Sequence, residues 1–282
     1  MKTKNCLTKL TLTPHPFTLE SLFRDVDLIR QTHPLIHNIT NLVVMTTTAN
    51  MLLALGAAPI MAHAEEELED IIQLAQALVI NIGTLDATWL ATIEQAQQLA
   101  LKRNIPVVFD PVGAGASRYR TQASLAILKN GVDVIRGNAS EIMALLDTSI
   151  TTQGVDSTQA SKQAVASAQT LAQQYQCIVV VSGQIDFIVS ATQTVALDYG
   201  TPLLTKVVGM GCSLTAMLAS FLTVNTDRLT ASVHAMAYMG LVSEYAEKKS
   251  KGPGSFYSQL LDSLYSVQKN DLQALLKSTL SV

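Results

Sequence analysis

The segment Thr205-Lys206-Val207-Val208-Gly209-Met210-Gly211-Cys212 places two glycines and a cysteine where an apolar, strand-like run gives way to a helix-like one. A helix starting there leaves its first backbone N–H groups unpaired, and glycine lets a large anion come close to them. With the helix dipole added, the spot is an anion hole suited to phosphate. A thiol in the first turn of such a helix has its thiolate favoured, so Cys212 is a candidate base or nucleophile beside the bound anion.

Three further loops carry chemistry. Asp110 ends the apolar run Pro106 to Phe109 and opens Pro111-Val112-Gly113-Ala114-Gly115. A carboxylate at that place suits Mg²⁺, directly or through water, and equally suits a plain Asp-Pro turn. Arg136-Gly137-Asn138-Ala139-Ser140-Glu141 has a capping-box spacing, Asn138 to Glu141, which also admits Glu141 near a metal and Arg136 near a polyphosphate. Ser182-Gly183-Gln184-Ile185-Asp186 offers a hydroxyl and backbone amides after another apolar run. His37-Asn38-Ile39-Thr40-Asn41 crowds side-chain amides with a histidine, an arrangement for a small polar ligand or for an ordinary helix start. His33, His63 and His234 lack metal-ligand spacing and read as structural or surface residues, and Met45, Met51, Met61 and Met217 read as core fillers. The dinucleotide fingerprint fails at both glycine clusters, where Arg118 and Leu214 occupy the third glycine's place, and no Gly-Lys-Ser/Thr occurs.

These loops must be held by strands and helices. Short β-branched runs alternate with longer helical patterns, the rhythm of a mostly parallel sheet with helices on both faces, so the fold class is α/β. Strands are expected at Ala58 to Ala62, Leu78 to Gly83, Val107 to Asp110, Val132 to Arg136, Ile178 to Ser182, Phe187 to Ser190 and Thr194 to Leu197, the last two as a hairpin. Helices are expected at Leu19 to Arg30, Thr40 to Leu55, Glu65 to Ala75, Thr88 to Lys102, Arg120 to Lys129, Ser140 to Leu146, Ser157 to Gln174, Cys212 to Leu222, Leu229 to Lys248 and Gly254 to Val267. In such sheets, ligands collect at the carboxyl ends of the strands.

Composition narrows the function. With 48% hydrophobic and 15% charged residues over 282, the chain is a well-buried globular protein. A net charge of −3 without a basic block argues against a nucleic-acid surface. Three cysteines (Cys6, Cys177, Cys212) with no CxxC pair argue against a disulfide framework or a zinc site and fit a reducing cytoplasm. The uncharged stretches Gln31 to Ala64 and Val207 to Thr226 are broken by Asn, Ser and Thr and read as buried helices rather than membrane spans. No Pro- or Gly-rich linker divides the chain, so one domain is expected over 17–282. Residues 1–16, without the apolar core of a secretory signal, are expected to be a flexible tail.

Taken together and in order, His37-Asn-Ile-Thr-Asn, Asp110-Pro-Val-Gly-Ala-Gly, Arg136-Gly-Asn-Ala-Ser-Glu141, Gly209-Met-Gly-Cys212 and Gly252-Pro-Gly-Ser-Phe256 closely resemble the hydroxyethylthiazole kinase family of the ribokinase-like superfamily. The resemblance implies ATP-dependent phosphorylation of the hydroxyl of 4-methyl-5-(2-hydroxyethyl)thiazole in thiamine biosynthesis, by a cytoplasmic homotrimer with each site near a subunit boundary. It implies Mg²⁺ organised by Asp110 and Glu141, ATP contacts from Arg136 and Ser182, and a thiazole pocket involving Met61, Gly209 and Asn38. Gly209, Gly211 and Cys212 become the phosphoryl-transfer loop, with Cys212 where many relatives carry an aspartate base. Met210 and Gln184 depart from the family pattern, where a smaller residue or threonine and a glutamate are familiar. Phosphorylation of hydroxymethylpyrimidine is the nearest alternative, and the cysteine and the His37 motif favour the thiazole.

Overall fold

The computed structural model describes residues 17–147 and 157–279; the expected tail 1–16 lies outside them. Eight strands form one sheet: β1 (Leu35–Ile39), β2 (Ala58–Ile60), β3 (Ala77–Asn81), β4 (Val107–Asp110), β5 (Val134–Asn138), β6 (Ile178–Ser182), β7 (Asp186–Val189) and β8 (Thr194–Leu197). Their spatial order is β2-β1-β3-β4-β5-β6-β7-β8. The first six are parallel, and the expected hairpin supplies two antiparallel strands at the far edge. The order reverses between β1 and β3, a crossing point beyond whose carboxyl ends a crevice must open.

Helices α1 (Leu19–Thr32), α2 (Met45–Leu55), α3 (Leu68–Leu74), α4 (Ala87–Lys102), α5 (Arg118–Asn130), α6 (Ala139–Ala144), α7 (Ser157–Tyr175), α8 (Met210–Val224), α9 (Arg228–Glu247), α10 (Pro253–Ser266) and α11 (Lys269–Thr279) cover both faces. Strand side chains alternate between two cores. One joins Ile36, Val79, Val108, Val134, Val180 and Ile188 to α1, α2 and α8 to α11. The other joins Leu78, Ile80, Phe109, Ile135, Val179 and Phe187 to α3 to α7.

That period of two decides where chemistry can occur. Continuing the first set toward the carboxyl ends reaches Asn38, Asn81, Asp110, Arg136 and Ser182 in adjacent strands, so all five belong to the face that α8 covers. Helix α8 is apolar and almost wholly buried. Its burial against that face brings the Gly209 end to the same edge.

Several elements differ from expectation. His37 to Ile39 belong to strand β1, paired on both sides next to the edge strand β2, rather than to a helix entry, and α2 begins at Met45, five residues later than Thr40. Two buried polar residues, His37 and Asn38, hid a strand that is buried on both sides. Pro202–Lys206 winds into a 3-10 turn, so no strand leads into the Gly209 loop, and α8 starts at Met210 rather than Cys212. Glu65–Glu67 is a separate 3-10 turn, because three successive glutamates leave no buried stripe until Leu68. Helix α11 was not anticipated at all. Among the described residues, no helix is long and apolar enough to cross a membrane.

Candidate active site

Asp110 lies at the centre of the carboxyl edge and is 1% exposed. Asn81, in register on the neighbouring strand, donates from Nδ2 to Asp110 Oδ2 at 3.0 Å. Thr215, one turn into α8 beyond Gly211, donates its hydroxyl to the same oxygen at 2.8 Å. Arg136 Nη1 stands 3.8 Å from it. The other oxygen, Oδ1, is buried with no hydrogen-bond partner. Burial pushes the Asp110 carboxyl up to about 6 against the opposing pull of Arg136, with Glu141 adding to the rise. A carboxylate so enclosed, with one oxygen unpaired, is suited to a cation.

Glu141 answers to both of its readings. Its carboxylate accepts the Asn138 N–H at 2.9 Å while Asn138 Oδ1 accepts the Glu141 N–H at 3.0 Å, closing the capping box of α6. Its other oxygen accepts the Gly113 N–H at 3.0 Å, tying the helix start to the loop that follows Asp110. Lone pairs remain on both oxygens for a further ligand. Asp110 and Glu141 thus fit a hard cation whose coordination is completed by phosphate oxygens and water. Among the described residues, no group of three or more His, Cys, Asp or Glu side chains could hold a metal by itself.

Arg136 links this carboxylate to the loop after β6. Its Nη2 donates to Ser182 Oγ at 2.7 Å, and Ser182 in turn donates to the Gly137 carbonyl at 3.3 Å. Arg136 Nε is buried without a partner. Arg136, Ser182 and Gly211 line a cleft of about 580 Å³ together with Tyr199, Leu204 and Met239. A guanidinium, a hydroxyl and helix-start amides in one cleft with apolar groups suit a nucleotide.

The Gly209 loop is shaped for close approach. Gly209 has φ of 85°, and a Cβ there would lie 3.0 Å from Val44 Cγ1 at the start of α2. Its carbonyl accepts the Ser213 N–H at 2.8 Å, so the first amides of α8 carry no helical hydrogen bond and face the cleft end.

Cys212 does not behave as its helix position suggested. Burial, followed by the negative charge of Asp110, raises the thiol above its ordinary range, and the Asn81 and Asn41 side chains and Arg136 offset this only in part. The expectation of a favoured thiolate is corrected: desolvation and a neighbouring carboxylate outweigh the helix dipole. Asn41 Nδ2 donates to Cys212 Sγ at 3.5 Å and to Asn81 Oδ1 at 2.9 Å. The chain Cys212, Asn41, Asn81, Asp110 is therefore continuous.

Asn38 and Met61 are not drawn into this network. Asn38 is fully buried and donates from Nδ2 to the Ile36 carbonyl at 2.7 Å, its Oδ1 left without a partner. Met61 follows the edge strand β2, beside Ala62, whose carbonyl accepts from His37 Nε2 at 2.7 Å. Of the two asparagines in the His37 motif, Asn41 is the one that joins the network, through Asn81 and Cys212. Asn81 and Thr215 were missed altogether. Asn81 had one visible signal, a lone polar residue closing the apolar run Ala77 to Ile80, whereas Thr215 reads as any small helix residue.

Comparisons with known proteins identify the chain's relatives. The hydroxyethylthiazole kinase family model matches residues 26–270. A hydroxyethylthiazole kinase of Leptothrix cholodnii is 46% identical over 270 residues, covering 94% of this chain and 97% of the relative. The solved structure of a hydroxyethylthiazole kinase protein from Pyrococcus horikoshii superposes with a TM-score of 0.83 at 42% identity, covering 90% of this chain and 96% of that one. A ribokinase-like superfamily protein from Enterococcus faecalis shares the fold at a TM-score of 0.61 and 14% identity, over 93% of this chain and 94% of that one. With a family model and relatives that span most of its length, this chain belongs to the hydroxyethylthiazole kinase family.

Proposed function

We propose that this enzyme transfers the γ-phosphoryl group of ATP to the hydroxyl of 4-methyl-5-(2-hydroxyethyl)thiazole, a step of thiamine biosynthesis. The observation that carries the reading is the convergence of Asp110, Arg136 and the amides of Gly209 to Cys212 on one point of the sheet edge. Phosphoryl transfer through a loose transition state depends mainly on positioning and charge neutralisation, which such a cluster supplies.

Arg136 and Ser182 bind the ATP phosphates, the guanidinium oriented by the Ser182 hydroxyl. Asp110 and Glu141 hold Mg²⁺, which when bound offsets the negative charge of the phosphates. The Gly209, Gly211 and Cys212 amides receive the transferring group. Cys212 accepts the substrate proton only in the small fraction of molecules whose thiol is ionised, so its contribution is modest. Met61, Gly209 and Asn38 form the thiazole pocket.

One kinase domain spans 17–282, and the enzyme works in the cytoplasm as a homotrimer. Support for self-association comes from Leu42 and Val43, which are 64% and 65% exposed in the turn next to Asn41. Large apolar side chains exposed beside a site are covered by a partner in many assemblies. With Met61 near the edge of the sheet, a second copy seated there would close the thiazole pocket.

The test is a kinase assay offering the thiazole alcohol and hydroxymethylpyrimidine side by side, with mass measurement in solution. Preference for the thiazole and a trimeric mass are expected. Faster turnover of the pyrimidine overturns the substrate, and a monomer with full activity overturns the shared pocket.

A further inference from the structure

The cleft that holds Arg136 and Ser182 also contains a carboxylate, Asp186, that the reading above leaves without a task. A carboxylate is an unfavourable neighbour for polyphosphate unless it faces another part of the ligand. The order of the strands says which part. Arg136 lies in β5, Ser182 ends β6, Asp186 opens β7, and Tyr199 follows β8, and these four strands are consecutive in the sheet. Asp186 lies in phase with Ile188, on the face shared with Arg136 and Ser182. With strands about 4.8 Å apart, Asp186 stands roughly 10 Å from the β5 cation and about one strand from β8, which Tyr199 follows. In a nucleotide the sugar occupies that interval, between phosphates and base.

The side chain is prepared for hydroxyl groups. Asp186 Oδ1 accepts the Gly183 N–H at 2.9 Å, which pins the carboxylate across the β6–β7 turn. Among the described residues, Oδ2 has no hydrogen-bond donor. Burial raises this carboxyl to about 6, with Gly183 and Arg136 opposing, so at pH 8 it is ionised and acts only as an acceptor.

We infer that Asp186 accepts a hydrogen bond from a ribose hydroxyl of the bound nucleotide and makes the enzyme select ribonucleoside over deoxyribonucleoside triphosphates. A carboxylate at a strand edge serves the same chemistry in dinucleotide-binding sheets. The inference rests on ATP as the nucleotide of this cleft. Loss of a charge-assisted hydrogen bond is worth about 10- to 100-fold in discrimination.

The experiment measures kcat and KM for ATP, 2′-deoxy-ATP and 3′-deoxy-ATP, each with Mg²⁺ and saturating thiazole, in the wild-type enzyme, Asp186→Ala and Asp186→Asn. The wild type is expected to lose about 10- to 100-fold in kcat/KM on one deoxynucleotide, mostly through KM. Asp186→Ala is expected to bring ATP down to the level of that deoxynucleotide, with the KM for thiazole unchanged. Asp186→Asn keeps an acceptor for Gly183 but turns an uncharged amide toward the sugar, and is expected to show a discrimination between those of the wild type and Asp186→Ala. Equal use of all three nucleotides by the wild type overturns the inference, as does an Asp186→Ala variant that loses all three in equal proportion. A wild type that turns over none of them overturns the ATP reading itself.

Discussion

Gly211 lies directly against the Arg136 guanidinium: a Cβ at Gly211 would stand 2.6 Å from Arg136 Nη1. The absence of a side chain on α8 is what lets the guanidinium rest between Asp110 and Ser182. Gly211→Ala is therefore expected to push the end of a flexible side chain aside rather than to break the fold. Stability should change by less than about 1 kcal/mol, while kcat/KM for ATP falls about 10²-fold. Thermal unfolding compared with steady-state kinetics checks this. A variant as active as the parent would separate Arg136 from the reaction.

Glu141 serves a cap and a charge at once, and the two can be separated. Glu141→Gln keeps an acceptor for the Asn138 or Gly113 N–H groups but removes the negative charge beside Asp110. The expected result is a small loss of stability, about 0.5–1 kcal/mol, with a rise of about tenfold or more in the Mg²⁺ concentration needed for half-maximal rate. Magnesium titrations at fixed ATP measure it. An unchanged Mg²⁺ requirement would leave Glu141 as a cap alone.

Because burial and Asp110 raise the Cys212 thiol, its basic form is scarce at neutral pH and grows as the pH rises toward and beyond the ordinary thiol range. If the thiolate assists deprotonation, kcat rises with pH across that window in the wild type, and the rise disappears in Cys212→Ala. The loss in Cys212→Ala at pH 7.5 should be about tenfold or less, below the 10²–10⁴-fold of a full general base. Cys212→Asp should be tolerated better than Cys212→Ala, since a proton acceptor remains within reach of the Asn41 amide. An identical pH–rate profile in all three proteins excludes the thiol from proton transfer.

His234, on α9, is fully buried and its Nδ1 lies 2.6 Å from Asp25 Oδ2, which also accepts from Asn225 Nδ2 at 2.7 Å. The pair joins α1 to α9. Asp25→Ala leaves the buried His234 and the half-buried Asn225 without this partner and should cost about 2–4 kcal/mol of stability with kcat unaffected. Urea unfolding and activity of the folded fraction test both halves. A loss of kcat at full folding would give this pair a part in the reaction.

Much of this protein was legible without its structure, and for local reasons. Period-two and helical patterns, the Asn138–Glu141 capping box and the glycines before Cys212 depend on residues within one or two turns of each other. The five motifs in order were enough to point to the family. What could not be read is set by contacts between distant segments. The sequence around His37 shows the polar residues of a helix start, yet pairing with β2 and β3 makes it a strand paired on both sides. Asp110 carries no mark of its elevated pKa, because the burial under α8 that raises it and the Glu141 charge that adds to it both come from other elements. The cysteine's helix position argued for an ionised thiol, and only the packing of α8 over β3 and β4 brought the burial and the carboxylate that reverse it. Side-chain types and local spacing thus determined which chemistry was possible, whereas strand register and burial decided which of those side chains meet and in which protonation state.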